Sequence, residues 1–299
     1  MQLTFLGTSC MVPTKERNVC SVFLSYTNEG ILFDCGEGTQ RQMNIAGIKR
    51  TSVTKVLISH WHGDHVSGLV GLIQTMGNDE MPPTIEIFGP RGTEEHINHM
   101  MKMCSFESRV NIKIFEIDII GVEKVFENKE FIIEAAPLNH TTPCVAYAFV
   151  EKDRRRIDMT YLKKLGVPEG KHLQPLHDGK SITYKGKHID VEKATSIIQG
   201  KKIAYVMDTA MCNGAIDIAK DADVLICESA YTGQLDEKAK MYKHLTARQA
   251  AEIASRANVG RLYLTHFSQR YNTTAEICDD AKEIFPNTTC ATDFMKVKV

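Results

Sequence analysis

Short runs rich in β-branched and aromatic residues, each closed by turn-forming or polar residues, recur along the chain at 19–25, 30–34, 53–59, 84–88, 131–135, 202–207, 224–227 and 261–265. Such runs read as strands. Between them the apolar positions shift to helical spacing, with Leu69, Leu72, Ile73 and Met76 on one face and Ala250, Ile253, Ala254 and Ala257 on another. Strands alternating with helices imply a layered α/β fold with buried sheets. A chain of 299 residues that is 43% hydrophobic can fill a large core, so one domain carrying an insertion is expected over residues 1–299. Thr246 followed by Gln249 has the form of a capping box, which places His244 in the loop just ahead of a helix.

Residues 151–199 break the pattern. They carry Arg154, Arg155, Arg156, Lys163 and Lys164 with few apolar positions, so they read as an extension of the core, on the plainest interpretation a solvated loop. The net charge of −1 excludes a generally basic nucleic-acid binder, and any attraction for phosphate has to be local. The 9 cysteines are scattered singly, which fits buried thiols in a reducing compartment rather than a disulfide framework or a structural zinc knot. No apolar stretch approaches the ~20 residues of a membrane span, and no secretory leader is evident. A soluble, cytoplasmic protein is expected.

Where the run 53–59 ends, His60, His62, Asp64 and His65 follow within a few residues. A strand-to-helix loop projects such side chains beyond the sheet edge, and imidazole with carboxylate is the donor set that zinc prefers. His60 and His62, two apart on extended backbone, can converge on one ion, and Asp64 and His65 can serve a second. A lone histidine at a strand end is ordinarily structural; three with an aspartate are not. His140, Asp208 and His266 each cap another apolar run and complete two ions.

This arrangement resembles the metallo-β-lactamase superfamily, which implies an αβ/βα sandwich of two packed sheets flanked by helices with the metals at one edge. Within it the chain is similar to the ribonuclease Z family. The likeness is carried by Gly7 to Cys10, by Pro13, Lys15, Arg17 and Asn18, by Phe33 to Gln42, by Glu228, by His244 to Thr246, and by Ser268, Arg270 and Tyr271. It implies a zinc-dependent endoribonuclease that removes the 3′ trailer of precursor tRNA after the discriminator base. His60, His62 and His140 would bind one Zn2+, Asp64, His65 and His266 the other, and Asp208 would bridge. Asp64 would accept a proton from water, while His244, oriented by Glu228, would donate one to the leaving oxygen. Lys15, Arg17, Asn18, Ser268 and Arg270 would contact the RNA. Residues 151–199 would be a protruding arm that grips tRNA, usually in the partner subunit of a homodimer.

The chain departs from the family at Gly170-Lys171, where Gly-Pro is common, and at Met11 and Met207, where glycine is usual. None of these removes a ligand. A small-molecule phosphodiesterase or arylsulfatase-like hydrolase would share the metals, and a non-catalytic RNA-binding protein the fold. His96, His99, His172, His177 and His188 lack a supporting carboxylate context and read as surface residues. Trp61 is expected to pack beneath the site.

Overall fold

Parallel neighbours require a crossover of a dozen or more residues, usually a helix, and that requirement shapes both sheets. The computed structural model describes residues 1–299 and divides into two units. The first comprises Met1–Phe126, Ile133–Phe149 and Lys202–Val299 and holds the large apolar core. It is built on two seven-stranded sheets. One runs, in spatial order, Lys296–Lys298, Gln2–Gly7, Ser21–Tyr26, Glu29–Phe33, Lys55–Leu57, Thr84–Pro90, Asn111–Ile117. The other runs Thr288–Cys290, Arg261–Thr265, Val224–Glu228, Lys202–Val206, Val145–Glu151, Phe131–Pro137, Glu123–Glu127.

Strands buried on both faces lose the polar alternation of a one-sided sheet, which is why Val224–Glu228 is buried throughout. The helix Leu69–Met76 turns Leu69, Leu72, Ile73 and Met76 inward, as its spacing requires. Each such side chain contributes roughly 1.5–3 kcal/mol of burial. The helix Ala247–Arg256 buries Ala250, Ile253 and Ala254 and begins at the expected capping box, with Thr246 and Gln249 each bonded to the other's backbone.

Register places the site. Ile203–Val206, Val224–Cys227 and Arg261–Leu264 lie side by side in parallel, with Val206 opposite Cys227 and Cys227 opposite Leu264. The residues just beyond, Asp208, Glu228 and His266, therefore emerge from one sheet edge. The run 53–59 forms a strand only over Lys55–Leu57, because Ser59 leaves the ladder to bond Asp34. Gln2–Gly7 and Val145–Glu151 are strands that the run pattern did not mark.

The second unit comprises Glu127–Ile132 and Val150–Lys201. Arg154–Ile157 pairs antiparallel with Thr195–Ile198, and Ile182–Tyr184 with Lys187–Ile189. It is not a solvated loop: Leu162, Val167, Leu173, Leu176, Ile189, Val191 and Ala194 form a core of its own. All nine cysteines are free, and no helix is long and apolar enough to cross a membrane.

Candidate metal centre

Asp208 sits in the left-handed region at φ 42, and His266 at φ 61, both unusual for residues with side chains. Such strain persists where the surroundings over-determine it, characteristically at a functional site. Here it turns both side chains toward one another at the sheet edge. Asp208 Oδ1 lies 3.2 Å from His266 Nε2 and 3.5 Å from His65 Nε2. Its other oxygen, Oδ2, lies 3.6 Å from His60 Nε2 and 3.9 Å from His140 Nε2. The carboxylate thus divides between two sets of imidazoles.

The remaining side chains close each set. Asp64 Oδ2 is 3.4 Å from His65 Nε2 and 3.5 Å from His266 Nε2. His62 Nδ1 is 3.0 Å from His60 Nε2 and 3.3 Å from His140 Nε2. Donors held ~2.0–2.1 Å from a tetrahedral zinc stand about 3.3 Å from each other, a value bracketed by the separations of 3.0 to 3.9 Å across the two sets. The Nε2 atoms of His65 and His266 and Oδ1 of Asp208 are also buried without hydrogen-bond partners. Acceptor lone pairs aimed at one another in a dry site are costly unless a cation sits among them. The residues present fit divalent metal.

Charge points the same way. Burial works against ionising Asp64, yet the neighbouring His65 and His266 imidazoles outweigh it and hold the carboxyl far below its usual range. For His65 burial opposes protonation, but Asp208, Asp34 and Asp64 win and push it up. Burial keeps His60 low. The carboxylates so concentrated demand positive charge, and protons on imidazole supply it until a metal displaces them.

Behind these donors lies a residue that shares the strand-end pattern. Asp34, fully buried at φ 54, accepts from His65 Nδ1 at 2.7 Å, Ser59 Oγ at 2.8 Å, Tyr205 Oη at 2.8 Å and the Ser59 backbone at 2.7 Å. Since Ser59 Oγ gives its proton to Asp34, it accepts from His60 Nδ1 at 3.0 Å. One carboxylate therefore fixes the tautomer of a histidine in each set, leaving both Nε2 atoms free. Asp34 ends the strand Glu29–Phe33 in the same sequence context as Asp208, which is the signal that could have found it.

His244 stands just outside both sets. Its Nδ1 is 3.1 Å from Glu228 Oε2 and 3.9 Å from Asp208 Oδ2. Burial disfavours its cation, but the Glu228 and Asp208 carboxylates prevail and push the imidazole up to about 9. Glu228 is fixed in turn by the Thr209 backbone N–H at 2.7 Å. His244 and Asp208 border a cleft of about 840 Å³ that is also lined by Met11, Tyr231, Lys238 and Tyr242.

Most of the other expected contacts lie on two loops that touch one another. Arg17 turns back into the protein, donating from Nη2 to the carbonyls of Tyr271 at 2.8 Å and Ser268 at 3.4 Å. Asn18 donates to the Glu37 carbonyl at 2.7 Å, and its backbone N–H to Asp293 at 2.8 Å. Lys15 is exposed. Arg270 bonds Ser268 Oγ at 3.3 Å and lies 5.3 Å from the Tyr231 ring centre. Trp61 packs on the core, stacks on His96 at 4.8 Å and donates to Thr93 at 2.8 Å.

Known proteins resemble the chain to different extents. The family of the anti-Pycsar protein Apyc1 matches residues 1–157. The ribonuclease Z of Methanothermobacter thermautotrophicus is 40% identical over all of this chain and 97% of its own. That of Nostoc is 38% identical over all of this chain and 95% of its own. Among solved structures, human tRNase Z, short form, superposes with a TM-score of 0.72 at 28% identity, covering 100% of this chain and 99% of that one. The metallo-β-lactamase fold protein YhfI of Bacillus subtilis, 16% identical with a TM-score of 0.70 and 99% of each chain covered, shares the fold. With the sandwich, the paired histidine sets and full-length relatives in agreement, the chain belongs to the ribonuclease Z family of the metallo-β-lactamase fold.

Proposed function

We propose that the protein is a zinc-dependent endoribonuclease that hydrolyses the phosphodiester after the discriminator base of precursor tRNA, giving a tRNA 3′-hydroxyl and a trailer 5′-phosphate. The observation that carries this reading is the division of Asp208 between two donor sets of tetrahedral edge length, with His244 3.9 Å from its Oδ2. His60, His62 and His140 would hold one Zn2+, Asp64, His65 and His266 a second, and Asp208 would face both. Bound zinc would supply Lewis acidity, polarising the phosphodiester and acidifying water. Asp64, ionised throughout the physiological range, accepts a proton from the attacking water. Its Oδ2 is engaged by the Met11 N–H at 2.8 Å, which leaves Oδ1 for that proton. As the P–O3′ bond breaks, His244 delivers a proton from Nε2 to the departing ribose oxygen, its Nδ1–H being held by Glu228.

We assign grip on the tRNA body to the second unit. A cleft there of about 660 Å³ is lined by Arg154, Arg156 and Lys171, none in an ion pair, and such cations suit an RNA backbone recognised by shape. By family likeness this arm serves the partner subunit of a homodimer in the cytoplasm.

The reading is tested by incubating purified protein with precursor tRNA and with a nitrophenyl phosphodiester, each with zinc or with chelator. Zinc-dependent cleavage of precursor tRNA that is lost in Asp64→Ala supports it. Hydrolysis of the small ester with no cleavage of precursor tRNA would favour a small-molecule phosphodiesterase and sink it.

A further inference from the structure

Met11 occupies the left-handed region at φ 60, where a residue with a side chain is strained and glycine is at ease. Its backbone N–H is fixed by Asp64 Oδ2 at 2.8 Å, a bond that glycine would make equally well. The side chain is 75% exposed and borders the metal cleft. A strained backbone that stations an apolar side chain in water beside a catalytic centre has a use for that side chain.

Tyr242 borders the same cleft from a different element. It closes the helix Asp236–Tyr242 and is 49% exposed. The next residue, Lys243, is also left-handed, at φ 54, and its carbonyl accepts from His140 Nδ1 at 3.1 Å, so the end of this helix is tied to a metal-site histidine. Lys238, one turn earlier, is half-buried in the cleft wall, with its ammonium 5.9 Å from the Tyr231 ring centre and no acidic partner. A thioether, an aromatic face and an unpaired cation thus share the rim of a cleft whose floor is polar. Nucleobases stack on such surfaces whatever their identity, and the cation matches the adjoining phosphate.

We infer that Met11, Tyr242 and Lys238 form a subsite for the nucleotide that supplies the leaving oxygen, with its base between Met11 and Tyr242 and its phosphate at Lys238. The choice of that nucleotide follows from His244, which protonates the leaving oxygen and lies two residues beyond Tyr242. The subsite rests on the proposed endoribonuclease activity and deepens it: it makes the enzyme require a base at the discriminator position without reading which base.

The test is a cycle of two substrates and five enzymes. Precursor tRNA with either an intact or an abasic discriminator nucleotide is cleaved by wild type, Met11→Gly, Tyr242→Ala, Tyr242→Phe and Lys238→Gln. Removal of the base should lower wild-type kcat/KM about tenfold. Met11→Gly and Tyr242→Ala should each lose several-fold on intact RNA but match wild type on the abasic substrate. Tyr242→Phe should keep the intact rate, and Lys238→Gln should weaken both substrates equally. Base removal and side-chain removal that multiply independently would overturn the subsite while leaving the activity standing. A wild-type enzyme that leaves intact precursor tRNA uncut overturns both.

Discussion

His65 Nδ1 and Asp34 Oδ2 lie 2.7 Å apart with neither side chain exposed to solvent. Facing a carboxylate, which only accepts, that nitrogen has to be the donor, so once a metal displaces the second ring proton it is Nε2 that His65 presents toward Asp64 and Asp208. Through Ser59 the same carboxylate sets His60. Asp34→Ala should lower metal affinity by about 10–100-fold, the range for loss of a partner that orients a ligand. Competition with a chromogenic chelator measures this. A variant that binds metal like wild type and differs only in thermal stability would show Asp34 to be a packing residue.

Replacement of His244 should slow cleavage of precursor tRNA by about 10²–10⁴-fold, the usual contribution of a positioned acid. An ester that leaves as nitrophenolate needs no proton, so its hydrolysis should fall far less. Glu228→Gln should show the same selectivity more weakly, because its amide holds the ring less firmly. Equal losses on both esters would assign His244 to binding or to metal retention instead.

Arg17, an expected RNA contact, links two loops through the carbonyls of Ser268 and Tyr271. Arg17→Ala should therefore destabilise the fold by about 1.5–3 kcal/mol, the worth of hydrogen bonds from a charged donor. Lys15→Ala, at an exposed position, should not. Thermal denaturation of the two variants decides the matter: an Arg17 variant as stable as wild type, impaired only in RNA affinity, would restore the guanidinium to the phosphate.

Cations of the second unit should act through salt-dependent attraction. Replacing Arg154, Arg156 and Lys171 together with glutamine should weaken binding of precursor tRNA and flatten the slope of log affinity against log salt by roughly 2–3. A slope identical to wild type would mean that these cations do not meet the RNA.

The sequence exposed some of this and concealed the rest for physical reasons. Polar residues that end apolar runs are conspicuous, so His60 to His65, His140, Asp208 and His266 stood out before any geometry was known. Asp34 ends a run in the same way, but Ser59, His65 and Tyr205 are distant in sequence and only the folded sheet gathers them. An arginine among polar residues reads as a phosphate contact, and nothing local reveals that a loop some 250 residues away also engages it. The core of the second unit was hidden because Leu162, Val167, Leu173 and Leu176 are diluted among charged residues without a sustained period. Lys238 and Tyr242 carry no local mark at all; their helix merely happens to end at the cleft.

Two donor sets that direct water to one phosphodiester, with His244 behind the leaving oxygen, fix which ester bond breaks. Mapping the end groups of precursor tRNA cleaved by the zinc-loaded enzyme tests it most directly. A single cut after the discriminator base is expected, with a 3′-hydroxyl on the tRNA and a 5′-phosphate on the trailer. A 2′,3′-cyclic phosphate or a 3′-phosphate on the tRNA would contradict it, because either product requires the other ester bond to break.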